Sequence, residues 1–273
     1  MARPNLSYLK NLILTLVGIP CGFLTGLSGI GSSTLVGTLV RYLLGLRDRR
    51  ANGAALLTTL ASTIGCLLAY AQHNALHWLL ALIVLVGQIF GAAFGQRLKG
   101  ATAALQVLRP VLSVLVIALG IYMMATRNHH PTLVSLVGLN LMLCGLGVGV
   151  IIGMISGILE IGGVLTVPAS LYLLGLPIMT SQGLSVLVLL FASLPAAAAY
   201  ISSNAVEARS ASWIPFGALF GALSGAYYAT SRLSNGMLID IDGLIITLFG
   251  LYHLLNRQSL QPAISEDEAV RSE

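Results

Sequence analysis

The sequence predicts an all-α, polytopic integral membrane protein built from two inverted repeats of one unit about 130 residues long. Each repeat is expected to hold a broken helical hairpin and about three transmembrane helices. Three observations carry this. Of 273 residues, 56% are apolar and only 8% are charged. A soluble domain averages about 25% charged residues, so lipid must cover most of the surface. Next, the chain repeats itself in order. Gly87, Gly91 and Gly95 recur as Gly217, Gly221 and Gly225, Gly120-Ile121-Tyr122 recurs as Gly250-Leu251-Tyr252, and Tyr42 to Leu46 (YLLGL) recurs as Tyr172 to Leu176, each at an offset of 130. Gly18, Gly22 and Gly26 recur as Gly149, Gly153 and Gly157 at an offset of 131. Finally, the basic residues sit singly in short loops, a placement that controls topology.

The elements follow in chain order. Apolar stretches cover roughly 11–45, 51–71, 76–98 and 107–126, then roughly 137–175, 180–203, 211–231 and 237–256. The first begins behind Arg3 and Lys10. No small-residue cleavage site follows it, and it runs into the repeated motif, so it is read as structure rather than a removable leader. The first stretch of each repeat is too long for one crossing. Gly29-Ile30-Gly31-Ser32-Ser33 interrupts one and Glu160-Ile161-Gly162-Gly163 the other. Glycine pairs break helices and serine caps new ones, so each long stretch reads as a helix, a break at depth and a second helix. The repeats are expected at 1–130 and 131–257. The tail, 258–273, is polar, with Glu266, Asp267 and Glu268 adjacent, and is expected to be disordered.

Charge sets the orientation. If both long stretches are hairpins that enter and leave on one side, the second repeat is inverted and both termini are cytoplasmic. Eleven Lys and Arg residues then lie inside, and only Arg127 and Arg232 outside. If each long stretch crosses once, the count is seven against six. The positive-inside rule selects the inverted arrangement in the inner (plasma) membrane, with 71–77 and 126–136 outside. Broken helices meeting at the midplane of inverted repeats are a recurrent transporter design.

The broken motif resembles that of the sulfite exporter TauE/SafE family, also called the toluene sulfonate uptake permease family. That motif is a run of the form G-x3-G-x2-G-x-GGG, then an apolar stretch with a proline, then an LG-x-P turn. The second copy here is Gly153-Met154-Ile155-Ser156-Gly157-Ile158-Leu159-Glu160-Ile161-Gly162-Gly163, Val167-Pro168 and Leu174-Gly175-Leu176-Pro177. The first is Gly22 to Gly26, Gly29-Ile30-Gly31-Ser32-Ser33 and Leu44-Gly45-Leu46, and both are followed by matching segments, Ala51-Asn52-Gly53 and Ser181-Gln182-Gly183. Ser32 and Ser33 depart from the motif's glycines, Gly37 stands where the second copy has Pro168, and Glu160 replaces a glycine. The resemblance implies export or uptake of small sulfur-containing or organic anions.

The candidate residues cluster at the breaks. A broken helix frees backbone N–H groups, and the positive end of its second half can face an anion. Gly31, Ser32, Ser33 and Thr34 offer this in the first copy, with hydroxyl donors added, and Gly162 and Gly163 in the second. Asn52 and Gln182 match in position; their amides suit a sulfonate or carboxylate, or a helix cap. Arg41, within a hairpin arm, suits attraction of the anion or a place near the surface. Glu160 is a carboxylate at membrane depth, where such groups are costly and functional; its roles are proton coupling or a structural pair with Arg41. Ser62, Thr63, Ser185 and Ser193 can line a path or bond their own backbone. Asp240 and Asp242 read as carboxylates that open the last helix and complement its dipole.

The glycine triplets read as faces for close helix packing. Cys21, Cys66 and Cys144 read as buried small hydrophobes. His73 and His77 lack a third ligand, so no metal is expected. No nucleophile–base arrangement and no nucleotide-binding motif is present, so neither enzymatic activity nor a cofactor is expected. The leading function is a secondary transporter of small anions, with protons as the coupling ion. The alternatives are a membrane enzyme without a recognised catalytic motif and a channel-like facilitator. Partners are the anion, protons and the bilayer, with no nucleic acid; self-association stays open.

Overall fold

A computed structural model describes residues 4–31, 48–73, 76–98, 102–127, 138–159, 162–202 and 213–255. Among these, every regular element is helical. In chain order they are α1 (Pro4–Ser28), α2 (Asp48–Gln72), α3 (Trp78–Leu98), α4 (Thr102–Ala125), α5 (Leu139–Leu159), a 3₁₀ turn (Gly162–Leu165), α6 (Thr166–Tyr172), α7 (Ile178–Ser202), α8 (Trp213–Arg232) and α9 (Asn235–Leu255). Five helices hold a stretch long and apolar enough to cross a bilayer: Gly53–Gln72, Trp78–Arg97, Leu139–Leu159, Ile178–Pro195 and Asn235–Leu255. Leu14–Ser28, Pro110–Ala125 and Gly163–Tyr172 are shorter apolar helical segments. Large apolar side chains such as Phe90, Phe220 and Leu139 stand outward on the bundle surface, where only lipid suits them. The protein is a multi-pass, all-helical membrane protein.

Glycine sets how the helices pair. A Cβ on Gly18, Gly22 or Gly26 would strike the α8 backbone at Ile214, Ala218 and Ala222 in turn. The numbers rise together, so α1 and α8 run parallel with their backbones in contact. In the same way Gly149, Gly153 and Gly157 of α5 lie on Val84, Gln88 and Ala92 of α3, and Gly87, Gly91 and Gly95 answer from α3. This is the small-residue packing expected of the triplets. Two further pairs run antiparallel. Gly243 of α9 sits against Gly120 of α4, and Gly250 against Ile117. Tyr70 near the end of α2 meets Gln182 near the start of α7. Thus α1 packs on α8 as α5 packs on α3, and the helices at matching places in the sequence, α4 with α9 and α2 with α7, cross head to tail.

Both breaks fall where the glycine pairs put them. The first helix stops at Ser28 and α5 at Leu159. Two expectations need correction. Cys21 and Cys66 are buried, but Cys144 is exposed on α5. Asp242 does not open the last helix. That helix starts at Asn235, where the Ser234 carbonyl accepts from Leu238 N–H at 3.1 Å and its hydroxyl lies 3.4 Å from Met237 N. Serine is a favoured N-cap, and its presence moves the helix start upstream. Asp242 therefore lies two turns inside and is fully buried. Asp240 is partly exposed and pairs with Arg127, just past the end of α4, at 2.9 Å.

Candidate functional site

The first break is a helix end closed by polar side chains. Gly29 has φ +62, a left-handed value that glycine adopts without strain, and its N–H donates to Thr25 O at 2.8 Å. A terminating helix leaves carbonyls without intrahelical donors. Two of them are met from other helices. Tyr70 Oη donates to Gly26 O at 3.0 Å, and Gln182 Nε2 to Leu27 O at 3.1 Å. The two side chains also face each other: Tyr70 Oη lies 3.0 Å from Gln182 Oε1. Gln182 Nε2 then reaches Asp242 Oδ2 at 2.9 Å. Tyr70, Gln182 and Asp242 are all fully buried. Gln182 is therefore neither a cap of its own helix nor a free amide. It is a cap supplied in trans to α1, and both its amide atoms are engaged. Gly29 is held tightly beside it, since a Cβ there would meet Gln182 Cα at 2.9 Å.

The second break opens into a cavity of about 380 Å³. Its walls come from α2, α3, α5, α7 and the 3₁₀ turn. Leu85, Ile89, Val188 and Leu189 make it largely apolar, and Gly153, Gly157 and Gly163 bring backbone to its surface. The polar members are Thr59, Gln88, Gln96, Ser156 and Ser193. Thr59 and Ser193 spend their hydroxyl protons on Ala55 O and Leu190 O. Gln88 donates one amide hydrogen to Thr166 Oγ1 at 3.0 Å, and an amide nitrogen carries two. A cavity of mostly apolar wall with a few placed polar groups is the usual form of a small-molecule site. Its volume exceeds one small anion and leaves room for water, at about 30 Å³ per molecule.

The two breaks converge on one side chain. A Cβ on Gly31 would meet Leu189 Cδ2 at 3.0 Å, and one on Gly163 would meet it at 2.9 Å. The helical run that starts at Gly162 climbs back through α6 and is tied at its far end to α4, where Tyr172 Oη and Thr126 Oγ1 are 2.9 Å apart. Of the residues singled out from sequence, Gly31, Gly163 and Gln182 are thus brought to the core of the bundle, and Gly163 lines the cavity. Gly162 opens the 3₁₀ turn. Ser32, Ser33, Thr34, Arg41 and Glu160 lie outside the described residues, as does the side chain of Asn52. Ser62 and Thr63 bond their own helix at Thr58 O and Leu60 O. His73 and His77 are exposed, and no metal-binding group of three His, Cys, Asp or Glu occurs among the described residues.

Sequence reasoning passed over Gln88, Tyr70 and the true place of Asp242. A signal for Gln88 existed, because it is a lone amide in an apolar span. Tyr70 gave none, since its role depends on which helix ends beside it.

The family profile of the sulfite exporter TauE/SafE family matches residues 2–123 and 100–253. A probable membrane transporter protein of Xylella fastidiosa (strain 9a5c) is 27% identical over 258 residues, covering 89% of this chain and 95% of that protein. No solved structure matches. With the profile spanning nearly the whole length and both copies of the broken glycine motif in place, the chain belongs to the sulfite exporter TauE/SafE family.

Proposed function

We propose that the protein is a secondary transporter of small sulfur-containing or organic anions, and that the anion binds in the cavity at the second break. The observation that carries this is the cavity itself. It joins bare backbone at Gly163, the Gln88 amide and apolar walls at the point where both helix breaks converge. Irregular backbone at membrane depth is tolerated where protein or a water-filled cavity surrounds it.

The reading takes 1–130 and 131–257 as inverted repeats with both termini in the cytoplasm. The head-to-tail crossing of α4 with α9 supports it, because a two-fold axis that turns one helix antiparallel to its copy lies across the helices, in the membrane plane. Gly31, Ser32, Ser33, Thr34, Asn52 and Arg41 complete the proposed anion path, and Glu160 carries a coupled proton. An ionised Glu160 repels an anion, so proton and anion favour binding together, which gives symport.

Counterflow in proteoliposomes with sulfite as the probe tests this. A carrier exchanges labelled for unlabelled sulfite, whereas a channel shows no trans-stimulation and an enzyme alters the compound. Glu160→Gln is expected to keep exchange and lose the response to a pH gradient; unchanged pH-driven uptake by a stable variant removes the coupling role. A cysteine at Asn74 is expected to label from outside, and one at Asn5 is not. External labelling at Asn5 overturns the inverted arrangement.

A further inference from the structure

We propose that Asp242 is a proton-binding site that latches the end of α1, so that protonation closes this side of the bundle and deprotonation opens it. The proposal rests on the transporter reading, since a latch needs two alternating states, but it concerns a different part of the molecule from the cavity.

Asp242 lies seven residues into α9, about 10 Å below its start, and is fully buried. Its Oδ2 accepts from Gln182 Nε2, while its Oδ1 has no hydrogen bond. No cation among the described residues pairs with it; Arg127 takes Asp240 instead. The groups near it among the described residues come from several helices. From α2 come the Tyr70 phenol and, one turn away, the buried Cys66 thiol. From α1 come the carbonyls of Gly26 and Leu27. From α7 comes the Gln182 amide; one turn further along α7, Ser185 has a buried Oγ that also lacks a partner. From α4, Met123 and Met124 pack beside Gly243. On α9 itself, Asp240 is partly exposed and paired with Arg127, and His253 lies three turns further on.

This environment suits an acid and not an ion. With a proton on Oδ1 the whole chain of groups is neutral, and every donor of Tyr70 and Gln182 has an acceptor. Without it, a carboxylate with a single donor faces the negative end of the α1 dipole. A buried ion with no counter-charge is strongly destabilising, and here water is the available relief. Water can reach Asp242 only if this end of the bundle parts, and Gln182 binds Leu27 and Asp242 through the same nitrogen. Loss of the proton from Oδ1 to incoming water therefore goes with release of α1. Its return restores the neutral network and the closed end. Among the described residues no buried acid stands at the second break, which leaves the two ends able to open in alternation.

Infrared spectroscopy on the full chain in lipid tests the protonation directly. The expected result is a carboxylic-acid carbonyl band present in acid and lost on raising the pH. It should be absent from Asp242→Asn and retained in Glu160→Gln. Access is tested with Ser185→Cys in a background where Cys21, Cys66 and Cys144 are serine. A membrane-impermeant thiol reagent should label it faster at alkaline pH than a control cysteine at Asn74 accounts for, and adding Asp242→Asn should remove that excess. A wild-type band that does not titrate, a titrating band that survives Asp242→Asn, or labelling that only follows the control overturns the latch. So does opening that requires sodium rather than a change of pH. If the band and the labelling behave as expected but sulfite is never exchanged, sulfite is not the substrate and the latch stands.

Discussion

The ends of α1 and α5 occupy matching places in the two halves of the sequence, yet among the described residues one is closed by side chains and the other lies beside a cavity. At α1 the freed carbonyls are met by Tyr70 and Gln182, and Asp242 stands behind them. At α5 the chain turns through Gly162 and Gly163 beside a cavity. The backbone device was duplicated, and the side chains around it only in part: Tyr200 and Asn52 stand at the places that match Tyr70 and Gln182. Position 112, the counterpart of Asp242, is leucine; Ala218 stands opposite Gln88, and Thr59 opposite Leu189. The difference teaches that a near-symmetric scaffold can host two unlike chemistries, because helix ends demand hydrogen bonds that different side chains can supply.

The sharpest way to break the comparison is Gly163→Val. Its side chain would enter the cavity against Leu189, so sulfite uptake is expected to be lost while insertion is kept. Uptake at the wild-type rate by a well-inserted variant would mean that the second break is not the site. Next comes Tyr70→Phe at the sealed end. It leaves Gly26 O without its donor and removes the hydroxyl facing Gln182, which should lower stability by about 1–3 kcal/mol. A lowered thermal midpoint with unchanged sulfite affinity separates the two ends; a changed affinity joins them. The smallest effect is expected from Arg127→Ala. The pair with Asp240 is more than half exposed on the arginine side, and such pairs contribute about 0–1 kcal/mol. A large loss there would show that the α4–α9 crossing depends on charge rather than on glycine contact.

Much of this architecture was legible before any coordinates. Glycine pairs mark backbone that cannot continue a helix, and the triplets mark faces that must touch, so the breaks and the packing faces could be read from spacing alone, but not which helices those faces join. The network at α1 could not. Gln182 read as an anion ligand or a cap for its own helix because sequence shows neighbours along the chain, whereas its acceptor, Leu27 O, is supplied by a helix 155 residues away. Asp242 was assigned to a helix start because apolar residues were taken to begin the helix. Ser234 begins it instead, upstream of both aspartates, and the shift of about two turns moved the Asp242 carboxylate from the surface to the interior. Gln88 was passed over because one amide in an apolar run carries no periodicity.

The glycine faces also constrain how the protein is made. The backbone of α1 rests on α8, which leaves the ribosome roughly 200 residues later; at 5–20 residues per second that is a wait of about 10 to 40 s. Through that interval the face of Gly18, Gly22 and Gly26 lies in the bilayer without its partner. The α3–α5 pair closes far sooner, since Gly87 meets Leu146. Assembly thus has an order written into it: the second half of the chain completes its grip on α3 first, and α1, the first helix synthesised, is among the last to be seated.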